Sequence, residues 1–199
     1  AVLIGAPILV RIAEGRNLEA LARVIAYTGY IWMAFVFMFF FLHISGELFR
    51  WLYKFWHPAA SIVFLRTLTF IAAAFLAAGL VVYGYVDAQK IRVNKLEIAV
   101  PHALVSDGKL RIVQISDVHI GLIIQEKRLQ LLLDKLQEVR PDILVSTGDL
   151  LDGELNNVRP LAEMLAQVKP KFGKYAVTGN HEYYAGIEKS LDFTREAGF

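Results

Sequence analysis

Hydrophobic and polar positions follow two different rules along this chain. From Tyr27 to Ile44 there are eighteen consecutive residues without a formal charge, dense in Phe, Met, Ile and Val. At 1.5 Å per residue a helix over them is roughly 27 Å long, close to the hydrocarbon thickness of a bilayer. Thr67 to Val86 gives twenty more uncharged residues, roughly 30 Å on the same rise. A core helix of a water-soluble domain shows a polar stripe every 3.6 residues, and neither segment has one. The pattern predicts two membrane spans, at about 27–44 and 62–86, and the apolar opening at 1–10 reads as the end of an earlier span. Gly46 to Pro58, with Arg50, Trp51, Tyr53, Lys54 and Trp56, has the mixed aromatic and basic character of a headgroup-level connection.

From Ile91 the period changes. Ile91–Val100 alternates in part, and Pro101 and Asp107-Gly108 give a turn before Leu110–Ile115, which together predict a pair of strands. Leu129, Leu132, Leu133, Leu136 and Val139 fall at helical spacing, with Pro141 as the stop. Ile143–Thr147 is a short strand, 158–168 a helix, Tyr175–Thr178 a strand and 187–196 a helix. Strands alternating with helices predict an α/β unit around a largely parallel sheet. The domain organisation expected is a membrane domain over 1–88, then an α/β domain over 89–199.

Composition sharpens the division. The chain of 199 residues is 56% hydrophobic with a mean hydropathy of +0.45. Ten Asp, Glu, Lys or Arg side chains occur through Asp87, and fifteen basic plus fifteen acidic ones follow. The net charge of +2 gives no ground for a nucleic-acid partner. With no cysteine, disulfides and zinc–thiolate sites are excluded. Arg11, Arg16, Arg23, Lys90, Arg92 and Lys95 flank the two spans on one side, against Arg50, Lys54 and Arg66 on the other, a balance that leans toward a cytoplasmic C-terminal region.

Three motifs carry the chemistry: Asp117-Val118-His119, Gly148-Asp149-Leu150-Leu151-Asp152 and Gly179-Asn180-His181-Glu182. Each follows a strand-like run, so all three belong to the carboxyl edge of the sheet, where open α/β folds place their sites. On an extended strand tip, residues two apart point the same way, which lets Asp117 and His119 hold one cation together. The glycine before Asp149 allows a sharp turn that brings its carboxylate inward, and a carboxylate can bridge two cations. Asn180 adds a neutral carbonyl oxygen, and the adjacent His181 is placed to face a substrate. Singly, each motif also fits an N-capping Asp or a loop His. All three in order, each at a strand end, do not fit those explanations.

Ile115–Gly121, Gly148–Asp152 and Gly179–Tyr184 make the region from about Ile91 onward resemble the calcineurin-like metallophosphoesterase superfamily. With spans in front, the whole resembles its bacterial membrane-anchored branch, some members of which cleave the pyrophosphate of UDP-diacylglucosamine. The resemblance implies transmembrane α-helices followed by the first part of a two-sheet sandwich flanked by helices, in a bacterial inner membrane. It implies two divalent ions, of Mn, Fe or Zn: Asp117 and His119 on one, Asp149 bridging, and Asn180 on the second. It gives His181 contact with the phosphoryl oxygens or protonation of the leaving group, and makes Asp152 and Glu182 supporting residues. The family pattern continues with a further histidine and a Gly-His-x-His, whereas no histidine follows His181. The expectation is therefore a piece of a longer protein, cut at both ends and inactive or nearly so by itself.

The function expected is metal-assisted hydrolysis of a phosphoester or pyrophosphate. Thirty residues join Val86 to Asp117, a tether that points to a phosphate-containing substrate at the lipid–water boundary. A phosphodiesterase acting on a soluble substrate and a non-catalytic membrane scaffold with an incomplete metal site are the alternatives.

Overall fold

The computed structural model describes residues 2–59, 61–100, 108–152 and 158–199. The chain forms two compact units, Ala1–Arg11 with Val24–Lys90, and Ile12–Arg23 with Ile91–Phe199. After a 3-10 turn at Val2–Gly5, helix α1 runs Ala6–Gly15, α2 Glu19–Trp56 and α3 Ile62–Ala88. Both α2 (38 residues) and α3 (27 residues) are long and apolar enough to cross a membrane, and only 11% of either apolar window is buried by the protein itself. The segment from Gly46, expected as a connection, is helical through Trp56. Continuing the helix keeps its backbone N–H and C=O groups paired within the segment. In this unit the Phe39 ring meets Phe70 edge-on at 5.3 Å, and His43 meets the same ring at 5.8 Å. Ala73 and Ala77 are its buried α3 positions, small side chains of the kind that let apolar helices approach.

In the second unit the order is β1(Ile112–Ile115), α4(Glu126–Val139), β2(Ile143–Ser146), α5(Arg159–Ala166), β3(Lys174–Ala176), α6(Asn180–Ala185) and α7(Ile187–Glu196). The strands form one sheet in the order β1-β2-β3, all parallel, with Val113 opposite Leu144 and Ser146 opposite Ala176. Parallel neighbours need a crossover between them, and α4 and α5 supply it. Helix α4 buries Leu129, Leu133 and Leu136, the apolar side of the predicted stripe. It ends on Arg140 in the left-handed region (φ 54°), whose N–H donates to the Leu136 carbonyl at 2.9 Å; Pro141 cannot extend it.

One sheet face, with Ile115 and Leu144, joins Leu129, Leu133, Leu161, Leu165 and Phe193 in a single core. The opposite face leaves Ile112 and Tyr175 in the open, at 59% and 58% exposure. The second layer of a two-sheet sandwich is not among the described residues, and the small parallel sheet with helices on one face is consistent with part of one.

The strand expected over Ile91–Val100 is absent, and this stretch has no regular structure. Almost every residue in it is exposed, and an alternating pattern specifies a strand only where one face is buried. Pro101 and Asp107 of the expected turn lie outside the described residues. Strand β3 ends at Ala176 rather than Thr178, although the Val177 N–H still donates to the Ser146 carbonyl at 3.0 Å.

Candidate metal centre

Where β1 and β2 end, their chains remain bound to each other beyond the sheet. The Asp117 N–H donates to the Gly148 carbonyl at 3.2 Å, His119 to Asp149 at 2.9 Å, and Ile120 to Leu150 at 2.9 Å. These bonds wind the first motif rather than extend it. Asp117 and His119 sit at φ 52° and 51°, so the expected extended tip is replaced by two left-handed residues. Asp149 does the same at φ 50°. Three of the five non-glycine residues with positive φ among those described are thus candidate ligands. Such residues are strained by about 1–3 kcal/mol each and persist where surrounding bonds over-determine them.

Gly148 and Gly179 are needed for two separate reasons. Gly148 has φ +102°, and a Cβ on it would lie 2.8 Å from the Gly179 nitrogen. A Cβ on Gly179 would lie 2.2 Å from Oδ1 of Asp149. The second and third motifs therefore touch through backbone, and only glycine permits that approach.

Under this contact lies Glu182, 2% exposed. Its Oε1 accepts from the N–H groups of Leu150 (2.7 Å) and Leu151 (3.1 Å). Its Oε2 accepts from those of Gly179 (2.7 Å) and Asp149 (3.1 Å). One buried carboxylate thus ties the Asp149 loop to the start of α6. Sequence reading made Glu182 a supporting residue without this role; its position three residues into a helix that starts after Gly179 is the signal that finds it, since an acidic N3 residue reaches back to the first N–H.

Above this clamp, donor atoms of His119, Asp149 and His181 lie within 4.8 Å of one another. The Asp149 Oδ1 also accepts from the His181 N–H at 2.9 Å. His181 Nδ1 lies 2.9 Å from Oδ1 of Asp152, a bond that turns the ring and leaves Nε2 to act. The His119 and His181 rings meet edge to face at 4.4 Å, and Tyr184 stands 5.8 Å from His181. Asp117 is at the rim: its Oδ1 is 3.9 Å from His119 Nε2, with 65% of the side chain exposed. Its other oxygen accepts from the Ser116 hydroxyl, a partner sequence reading missed. Asn180 opens α6 with an exposed side chain. The structure brings His181 among the donors rather than apart from them, while Asp117 lies beside His119.

Two imidazoles and a carboxylate within this distance are a donor set that borderline divalent metals accept. The sequence profile of the calcineurin-like phosphoesterase family matches residues 110–197. The chain carries a calcineurin-like metallophosphoesterase domain. It is similar to an uncharacterized metallophosphoesterase of Aquifex aeolicus, 42% identical over 125 residues, which are 63% of this chain and 48% of that protein. A transmembrane protein with metallophosphoesterase domain from Danio rerio is 38% identical over 130 residues, covering 64% of this chain and 30% of that protein. An uncharacterized metallophosphoesterase of Bacillus subtilis, YkoQ, is 36% identical over 112 residues, 55% of this chain and 39% of its own length. The chain spans half or less of the length of these curated relatives. No solved structure matches it. The calcineurin-like domain thus has a cluster of candidate metal ligands at the carboxyl edge of its sheet, in a chain with two helices of span length.

Proposed function

We propose that this chain belongs to a membrane-anchored hydrolase that uses two divalent cations to cleave a phosphoester or pyrophosphate bond, with a lipid-bearing substrate such as UDP-diacylglucosamine. The observation that carries the reading is the convergence of His119, Asp149 and His181 donor atoms within 4.8 Å. His119, Asp149 and His181 would hold one cation, with Asp117 joining beside His119 and Asn180 serving a second. Divalent cations there supply Lewis-acid polarisation of phosphoryl oxygens and neutralise developing charge. The chain's own residues do the rest. Glu182 fixes the Asp149 loop, and Asp152 orients the His181 ring through Nδ1 so that Nε2 faces the cation position. The strained turns hold Asp149 and His119 in place before substrate arrives.

A bilayer is the cover that suits the largely exposed apolar helices α2 and α3, and a relative named a transmembrane protein with metallophosphoesterase domain supports that reading. The tether of thirty residues between Val86 and Asp117 favours a substrate held at the same surface, in an inner membrane with the domain on the cytoplasmic side. Replacing Asp149 with Asn in the whole protein is expected to abolish metal-dependent release of phosphate or a phosphomonoester; unchanged turnover would overturn the assignment. Equal efficiency on a soluble nucleotide and on a lipid-bearing pyrophosphate would overturn the substrate half alone.

A further inference from the structure

We propose that the end of the α2–α3 hairpin binds the phosphate of an acidic phospholipid. This rests on the reading that both helices span a bilayer. Helix α2 has 38 residues, roughly 57 Å, about twice the hydrocarbon thickness, so it cannot lie wholly within the core. Its uncharged stretch ends at Ile44, which leaves Ser45–Trp56 at headgroup level or beyond. Trp51, Tyr53 and Trp56 in those last turns are the side chains that settle there.

At that depth Glu47, Arg50, Trp51, Lys54 and Phe55 of α2 and Leu65 of α3 line a cavity of about 440 Å³. That is within the volume range of small-ligand sites. Its electrostatics are specific. Glu47 pairs with Arg50 and lies 3.4 Å from His43 Nε2, and Lys54 Nζ donates to the Pro58 carbonyl, so the lining carries two basic side chains against one acidic one. Arg50 has only 14% of its side chain exposed, and its Nη1 is buried with no hydrogen-bond partner. A buried guanidinium nitrogen without an acceptor is costly, and a phosphate oxygen is the acceptor its fork geometry matches. The remaining lining, Trp51, Phe55 and Leu65, is apolar. A free phosphate gains nothing from such a wall, whereas the glycerol and upper acyl carbons of a phospholipid bury against it. Charge complementarity and the wall together select a lipid with a negatively charged headgroup.

The site is testable with lipids brominated near the glycerol end, which quench a nearby tryptophan. In the full chain, Trp32→Phe with Trp56→Phe leaves Trp51 as the reporter. Trp51→Phe with Trp56→Phe leaves Trp32, inside the first span. Trp51 should be quenched by brominated phosphatidylglycerol about fivefold more effectively than by brominated phosphatidylcholine, the preference that one basic side chain near an anionic headgroup provides. Arg50→Gln should remove the preference and Lys54→Gln should weaken it, with Trp32 quenched equally by both lipids throughout. Equal quenching of Trp51 by both headgroups, or an Arg50→Gln variant that keeps the preference, would overturn the site. So would loss of the preference on adding millimolar inorganic phosphate, which would make it a free-anion site. A Trp32 that neither lipid quenches would instead show that the helices do not insert, and the spanning reading would fall first. Should Arg50→Gln itself fail to insert, Lys54→Gln decides.

Discussion

Glu182→Gln is a change of one atom that should weaken both the fold and the metal centre. The carboxylate accepts four backbone N–H groups, two on each oxygen, at 2.7–3.1 Å. Glutamine keeps the shape and one accepting oxygen, but turns an NH₂ group toward the other two donors. Hydrogen bonds to a charged group contribute about 1.5–3 kcal/mol each, and a donor left buried without an acceptor costs a similar amount. Losing one pair, with the non-additivity expected inside one network, gives about 3 kcal/mol. For a domain of this size that lowers Tm by on the order of 10–20 °C. Because Asp149 N and Gly179 N are both released, the Asp149 carboxylate also loses its fixed position, and metal affinity should fall about 10–100-fold. Circular dichroism melts of the full-length protein and calorimetric titration with Mn²⁺ measure the two effects. Ser190→Ala is the control: its hydroxyl donates to the Glu182 and Gly186 carbonyls at 3.1 Å each, so it should cost about 1 kcal/mol and leave metal affinity unchanged. A Glu182→Gln protein with a Tm within two or so degrees of wild type and unaltered Mn²⁺ affinity would refute the clamp.

Gly179 has an ordinary negative φ of −101°, so Gly179→Ala tests steric approach alone. A methyl 2.2 Å from Asp149 Oδ1 must displace that carboxylate, and hydrolysis by the full-length protein should fall about 100-fold or more, the scale on which a misplaced catalytic group acts; near-normal turnover would show that Asp149 is not held there. Burial lowers the Lys174 ammonium from 10.5 to about 8, while its Nζ donates to the Leu165 carbonyl at 2.7 Å and to that of Ala197. Between pH 8 and 10.5 the unfolded chain then binds more protons at this residue than the folded one, so stability should rise with pH across that window, the penalty being fully present below it. Its size is on the order of 1 kcal/mol after allowing for partial exposure. Melts of wild type and Lys174→Met from pH 7.5 to 10 should differ in slope, and parallel curves would exclude the effect.

Most of the second unit was legible from period alone. Helix α4 was marked by leucines three and four apart, and β2 by an unbroken apolar run; both are local signals that burial on one side enforces. The error over Ile91–Val100 came from reading alternation as a strand without knowing whether a partner lay beside it, and a ladder is a long-range property. The three motifs were legible too, because aspartate, histidine and asparagine after strands are chemically conspicuous. What period and motif left open was their geometry. Asp117 and His119 were expected to point together from an extended tip. Instead, its N–H groups donate to the carbonyls of Gly148, Asp149 and Leu150, and Asp117 and His119 take left-handed conformations.

By itself the sequence determined the two long uncharged apolar helices, the alternation of strands and helices from β1 to β3, and which residue types follow each strand. These follow from spacing along the chain, where each side chain's periodicity is set by backbone geometry. Only the tertiary structure decided that His181 joins His119 and Asp149, that Gly179 lies against the Asp149 carboxylate, and that Glu182 binds four N–H groups from two segments. Each of those depends on parts of the chain about thirty residues or more apart, and which of them become neighbours is settled by how α4, α5 and α7 pack on the parallel sheet.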